Sequence, residues 1–451
     1  MIQLEILNDN VVKKIYRLHS RSKKVVFDTR EIEGGELFWA LPGSKTHGDQ
    51  FVQDALSKGA IGAICSDESL KQDNVIVVED TLRALQEYAS WYRSKLQTKA
   101  VIGITGSSGK TTTRALTAHV LSGLYRVSQP EKNYNNHIGV PITILNTPEN
   151  IDFLVLELGA NHIGEIEFLC QIARPTEGLI TNIGRAHLEG FGSFEGVIRA
   201  KTELYKWINE HGSILYVNCD DPLLVAQSDV VKANKIYYGT QKGKVIGKII
   251  GVNPYLRFKF LKPSEIDLLT NLAGKYNLYN ILAAAAVGLR HGVPLRIVAK
   301  RIATFLPVEM RSNLIKMGES WIWFDAYNAN PDSMLASLKS FVDFAKGNRL
   351  FIIGSMKELG DQSTQLHKKI LDFVLSISTS NDEIVCVGDE WKKLEEPLAN
   401  KQIKLFSSAN DDFFLETVVN QMNSRKFIFI KGSRENKLEL ILNKLKELFA
   451  D

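Results

Sequence analysis

Gly103-Ile-Thr-Gly-Ser-Ser-Gly-Lys-Thr-Thr-Thr-Arg114 follows the apolar run Ala100 to Ile102 and precedes a helical pattern with Leu116, Val120 and Leu124 on one face. A strand, a Gly-rich turn and a helix N-terminus together make an anion site. Backbone N–H groups point at phosphate oxygens and the helix dipole favours their charge. On this pattern Gly106, Ser107, Ser108 and Gly109 form the cradle, Lys110 reaches the outer phosphates, and Thr111, with Thr112 beside it, places a hydroxyl on a phosphate-bound Mg²⁺. A strict phosphate loop has Gly where this chain has Ile104, so the match rests on Gly106, Gly109, Lys110 and Thr111. A tight strand–helix connection that happens to contain Gly and Lys is the plainer alternative. The flanking strand and helix favour an ATP site.

At 451 residues the chain is too long for one core, and about two to four domains are expected. With 44% hydrophobic and 24% charged residues the composition is that of an ordinary globular protein. A net charge of only +4, with acids and bases interspersed, makes no case for nucleic-acid binding. Cys65, Cys170, Cys219 and Cys386 are scattered without metal-ligand spacing, and apolar neighbours surround Cys65 and Cys386. Buried reduced thiols are expected, which suits the cytoplasm. The start Met1-Ile-Gln-Leu-Glu5 lacks a signal pattern and no apolar run approaches about 18 residues, so no membrane insertion is expected.

The pattern divides into three α/β segments. Residues 1–98 alternate short apolar runs with helical patterns at Gly48 to Lys58 and Thr81 to Leu96, and Arg93 to Lys99 reads as a link. Residues 99–306 hold buried parallel-type strands, Phe153 to Leu158 and Gly178 to Ile183, alternating with helices such as Phe194 to Ile208 and Tyr276 to Arg290. Within this segment Lys235 to Leu261 reads as several short strands, either an antiparallel edge or a small appended sheet. Residues 307–451 restart the alternation, with strands near Trp321 to Phe324, Leu350 to Ile353, Ile384 to Val387 and Phe427 to Ile430 and a last helix from Glu435 to Phe449. That is the pattern of a Rossmann-like domain after a central phosphate-loop domain with a mostly parallel sheet.

Several polar residues sit where ligands collect, beyond the carboxyl ends of strands. Glu157 ends an apolar strand and is placed to hold Mg²⁺, with a capping or loop carboxylate as the alternative. His187 follows the next strand and is either a metal or substrate contact or an idle loop histidine. Lys201 falls on the apolar face of Phe194, Ile198, Tyr205 and Ile208. It is either a snorkelling side chain or a functional lysine whose pKa desolvation lowers, and periodicity does not choose. Asn277 and Asn280 open a helix, as caps or as an adenine edge contact. Asp325, at a strand end, is suited to a ribose, while Asn330-Pro331 is a helix-start signal.

Taken together, Thr105 to Thr112, Glu157-Leu-Gly-Ala-Asn161, Asn182 to Ser193, Ala200-Lys-Thr-Glu203 and Asn277-Leu-Tyr-Asn280 resemble, in content and order, the motifs of the Mur ligases. These are ATP-dependent amide ligases of peptidoglycan precursor synthesis. Tyr327-Asn-Ala-Asn-Pro-Asp-Ser-Met334, Gly354-Ser-Met-Lys-Glu-Leu-Gly360, Asp28-Thr-Arg30 and Gly35 to Gly43 look like the branch that joins D-alanyl-D-alanine to UDP-N-acetylmuramoyl-tripeptide. The resemblance implies a cytoplasmic monomer. It implies that Lys110 and Thr111 serve the ATP phosphates and Mg²⁺, and that Glu157 and His187 ligate Mg²⁺. Lys201 matches the family's carbamylated, metal-organising lysine. Asn280, Arg311 and Asp325 match nucleotide positions, Thr29 and Arg30 the uridine-nucleotide region, and Asn328 the substrate site. Tyr276 stands for a usual His, Arg185 for a usual Pro, Ser355 for a usual Asp, and Ser107-Ser108 for Thr-Asn. Another Mur-type ligase that adds the third amino acid, a folylpolyglutamate-type ligase, a phosphate-loop kinase and a nucleotide-regulated binding protein are the competing readings.

Overall fold

The structure is a computed structural model that describes residues 7–43, 46–394, 403–410, 412–422 and 425–448. Three sheets follow one another along the chain. The first has four parallel strands in sequential order, Val25–Val26, Leu37–Trp39, Gly62–Cys65 and Val75–Val77. Their short runs are apolar because helices cover them, including Asp9–His19, which the sequence patterns above do not single out. Its N-cap Asn8 accepts a hydrogen bond from the Val11 N–H.

The second sheet has nine strands. Ala100–Thr105 lies between Phe153–Glu157 on one side and Glu177–Ile180 on the other, all parallel. This reversal of strand order leaves a crevice beyond the carboxyl end of Ala100–Thr105, where an open α/β sheet binds its ligand. Beyond Ile214–Asn218 and Asn234–Gly239, which are parallel, the sheet ends in the antiparallel strands Val245–Val252, Tyr255–Lys262 and Ile266–Ala273, so the antiparallel edge is part of this sheet and starts later and runs further than the sequence reading placed it. Ile104 is paired between Glu157 and Leu179 and fully buried, which explains why an apolar residue replaces the glycine of a strict loop. Leu116 and Val120 are buried on the helix Lys110–Leu121, but Leu124 lies past its end and is 52% exposed.

The third sheet has six strands, with Ser320–Asp325, Phe427–Lys431, Arg349–Gly354, Glu383–Val387 and Ile403–Phe406 parallel and Asn313–Met317 antiparallel at the edge. The helix Pro331–Phe344 starts at Asn330 with a capping box to Ser333, as the Asn-Pro signal predicts. The last helix runs Glu439–Leu448 after a short turn at Arg434–Asn436, and Phe449 lies outside the described residues.

The expected link at Arg93 is shorter than read. The helix Thr81–Lys95 includes Arg93, whose guanidinium is buried and donates from Nε to the Ala173 carbonyl at 3.0 Å. That helix packs on Gly139–Leu145 and Glu165–Ala173. His19 adds a buried contact from Nε2 to the Leu145 carbonyl at 2.8 Å, so the first sheet is fastened to the second. Among the described residues no helix is long and apolar enough to cross a membrane.

In the third sheet, Arg349 and Asp382 are buried together, with Nη2 and Oδ2 2.5 Å apart. Burial alone would raise the Asp382 pKa, but Arg349 and the Thr379 N–H hold it below the ordinary carboxylate value. Asp382→Ala would leave Arg349 unpaired, and a loss of about 3–5 kcal/mol is expected in urea unfolding. Because the folded carboxyl is the stronger acid, this contribution is complete above pH 3.8 and is lost as pH falls through the lowered value.

Candidate active site

The strand Ala100–Thr105 turns into the helix Lys110–Leu121 through Gly106 and Gly109, with φ of +144° and +79°. Gly106 packs so closely on the next strand end that a Cβ would lie 2.0 Å from Thr181 Oγ1. The loop is pinned to residues 182–184. Ser107 N–H donates to the Asn182 carbonyl at 3.0 Å, Ser108 N–H to Asn182 Oδ1 at 3.1 Å, and Ser107 Oγ pairs with Gly184. Behind the helix, Thr113 donates to Asn280 Oδ1 at 3.0 Å.

Lys110 does not extend into solvent. Its Nζ donates back to the Gly106 carbonyl at 2.7 Å, and burial lowers its pKa against the opposing pull of Glu157. Glu157 is buried at its strand end, accepting from Thr111 Oγ1 at 2.7 Å and from Asn135 Nδ2 at 2.9 Å. Burial alone would raise the Glu157 pKa, but Lys110, Arg311 and these hydrogen bonds together hold it below the ordinary value.

Lys201 is 1% exposed on the helix Phe194–His211. Its Nζ donates to the Ala160 carbonyl at 3.3 Å and lies 5.0 Å from the centre of the Phe191 ring. Burial, with Lys110 nearby, lowers its pKa to about 7. Snorkelling is therefore excluded, because the ammonium does not reach water. His187, with φ +52°, sets Nδ1 2.5 Å from Glu358 Oε2 of the third sheet's domain.

One cavity of about 840 Å³ collects most of these groups. Ser107, Ser108, Gly109, Lys110, Thr112, Glu157 and His187 line it with Asn280, Arg311, Asp325 and Asn328. The carboxyl ends of the second and third sheets face each other across it. Asn330 Nδ2 donates to Ser108 Oγ at 3.1 Å, and the Arg185 N–H to Asp332 Oδ2 at 2.6 Å. Asp325 is not free. It accepts from Lys431 Nζ at 2.6 Å and from the Ser312 N–H at 3.2 Å. Arg311 lies over the Tyr327 ring at 4.1 Å. Thr29 and Arg30 stand apart in the first sheet's domain, where Arg30 is exposed and paired with Asp28 at 2.5 Å.

Other cavity residues were not singled out by sequence. Lys431 ends the strand Phe427–Lys431 and is only 2% exposed, so the strand-end rule that found Glu157 would have found it. Asp221 caps the helix Pro222–Asp229, which disguises the cavity-lining pair Asp220-Asp221 as an ordinary helix start. Asn133, Asn135 and Asn136 carry no local signal. Thr111 and Glu157 present adjacent oxygens of the kind Mg²⁺ takes, but among the described residues no cluster of three His, Cys, Asp or Glu forms.

A strand-end anion loop facing a second Rossmann-like sheet defines a class of nucleotide-driven ligase, and the chain belongs to the Mur ligase family. Family models for the Mur ligase catalytic domain, middle domain and glutamate ligase domain match residues 23–93, 104–288 and 310–434. The UDP-N-acetylmuramoyl-tripeptide–D-alanyl-D-alanine ligase of Bacillus subtilis is 35% identical, covering 94% of this chain and 93% of its own. The protein of that name from Haemophilus influenzae is 33% identical over 94% of both chains. MurF from Acinetobacter baumannii superposes with a TM-score of 0.84 at 29% identity, covering 97% of this chain and 98% of its own. MurF from Thermotoga maritima in complex with ADP gives a TM-score of 0.81 at 26% identity, covering 96% and 99%.

Gly106→Ala tests the loop. The added methyl meets Thr181 at a position of positive φ, so a stability loss of about 1–3 kcal/mol is expected. Thermal unfolding with and without ATP should show that the variant also loses the stabilisation ATP confers.

Proposed function

We propose that this chain joins D-alanyl-D-alanine to UDP-N-acetylmuramoyl-tripeptide in peptidoglycan precursor synthesis, driven by ATP. The carrying observation is the single cavity in which the phosphate loop and Glu157 face Asp325, Asn328 and Lys431. Residues 1–98 hold the UDP end, residues 99–306 the ATP phosphates, and residues 307–451 the rest of the nucleotide and the incoming dipeptide.

A carboxylate does not acylate an amine, because oxide is not a leaving group. Transfer of the γ-phosphoryl group to the tripeptide's terminal carboxylate makes an acyl phosphate. Its carbonyl carbon is attacked by the amine of D-alanyl-D-alanine, the C–O bond to phosphate breaks, and amide, ADP and phosphate result. Gly109 and the first N–H groups of the helix Lys110–Leu121 would face the phosphates, since those of Ser107 and Ser108 are bonded to Asn182, and Lys110 would swing from the Gly106 carbonyl onto them. The contacts of Asn330 and Asp332 across the cavity would exclude water from the acyl phosphate.

Mg²⁺ would be held by Thr111 and Glu157, with His187 and Lys201 as further ligands, and would supply charge that offsets the gathered anions. Lys201 fits that role as a carbamate. Its burial lowers the pKa to about 7, so neutral amine is available near neutral pH, and neutral amine adds CO₂ with loss of a proton.

Measuring phosphate release from ATP tests the reading. It should require UDP-tripeptide and D-alanyl-D-alanine together. Release with one acceptor and a stable phosphorylated product would indicate a kinase. Lys110→Ala should lose several powers of ten in rate, about 3–5 kcal/mol of transition-state stabilisation. Arg30→Ala should raise KM for the UDP substrate and leave that for the dipeptide nearly unchanged. Lys201→Ala should be nearly inactive, with part of the rate returning when a short carboxylic acid is added. Full activity without added acid removes Lys201 from the mechanism.

A further inference from the structure

Tyr276 precedes the helix Asn277–Arg290, and its ring folds back over Gly274. Only glycine leaves room there: φ is +89°, and a Cβ would lie 2.6 Å from the ring carbon Cε1. The ring is thereby aimed at the linker joining the second and third sheets, where its hydroxyl meets Ser312 Oγ at 2.5 Å. Burial pushes the Tyr276 pKa up, so the group stays a neutral phenol.

That linker is under strain. Met310 and Ser312 hold φ of +59° and +53°, a region residues with a Cβ rarely adopt, and Arg311 lies between them. Backbone preference therefore does not set the direction of Arg311; the contacts around it do. The Arg311 N–H donates to Asn313 Oδ1 at 2.9 Å, and the Ser312 N–H to Asp325 Oδ1 at 3.2 Å. Asp325 is in turn held by Lys431. On the other side, Asn277 and Asn280 are bonded to each other at 2.8 Å, and Asn280 accepts from Thr113 of the phosphate-loop helix. One helix start thus ties the phosphate loop to the linker.

We propose that Tyr276 is a positioning residue for the nucleotide: through Ser312 its hydroxyl sets where Arg311 and Asp325 stand relative to the phosphate loop. This rests on reading the cavity as an ATP site. Tyr276→Phe keeps the ring and removes the hydroxyl, and Ser312→Ala removes its partner.

The measurement is Kd for a non-hydrolysable ATP analogue by calorimetry, which needs no ligation, with KM for each substrate alongside. Each single variant should weaken analogue binding about fivefold, the size of one neutral hydrogen bond. The double variant should be no weaker than either single one. Tyr276→His, which keeps a donor, should recover part of the affinity, and KM for D-alanyl-D-alanine should move less than KM for ATP. An unchanged Kd in Tyr276→Phe, or single effects that multiply in the double variant, overturns the inference. If Tyr276→Phe does not fold, an unchanged Kd in Ser312→Ala overturns it alone. Wild-type protein that does not bind the analogue instead refutes the ATP-site reading.

Discussion

Everything at the cavity depends on how closely one backbone turn approaches its neighbour. Gly106 rests against Thr181 with no space for a side chain, and Ser107 and Ser108 are bonded to Asn182 and Gly184. That contact turns the Ser107 and Ser108 N–H groups onto Asn182 and brings the helix Lys110–Leu121 to the crevice with its positive end toward the cavity. Thr111 then falls on Glu157, and Glu157 stays ionised because Lys110, Arg311 and the hydrogen bonds from Thr111 and Asn135 together outweigh its burial. A buried carboxylate and a half-buried ammonium are each costly alone. Here each lowers the cost of the other, and phosphate would complete the balance.

The two large sheets were legible because buried parallel strands read as continuous apolar runs, as at Phe153–Glu157 and Phe427–Lys431. Elements without that contrast were less visible. Asp9–His19 is mostly polar along its sequence, and Arg93 looks like linker composition although its guanidinium is buried by tertiary packing. Ile104 looked like a defect in the loop and is instead a core position.

The candidate site was legible to the extent that strand ends announce themselves. Lys201 was recognisable as unusual from its position on an apolar face, but only its burial shows that the ammonium does not reach water. The pairing of His187 with Glu358 joins residues far apart in the chain and has no local signal. The same holds for the asparagines around Glu157, whose amides matter only once the strand end is placed beside them.

The two seams between the sheets share one apolar cluster and differ in the polar contacts laid over it. The first is helix packed on helix, with His19 and Arg93 buried in it, and separating it would expose apolar surface. The contacts described across the second are polar: a serine hydroxyl with an amide, a backbone N–H with a carboxylate, an imidazole with a carboxylate. Water replaces such partners at little net cost. One buried apolar cluster nevertheless runs from the first two sheets into the third, through Leu188, Phe191, Ala329 and Leu359, so parting the third sheet would expose apolar surface as well as these polar groups.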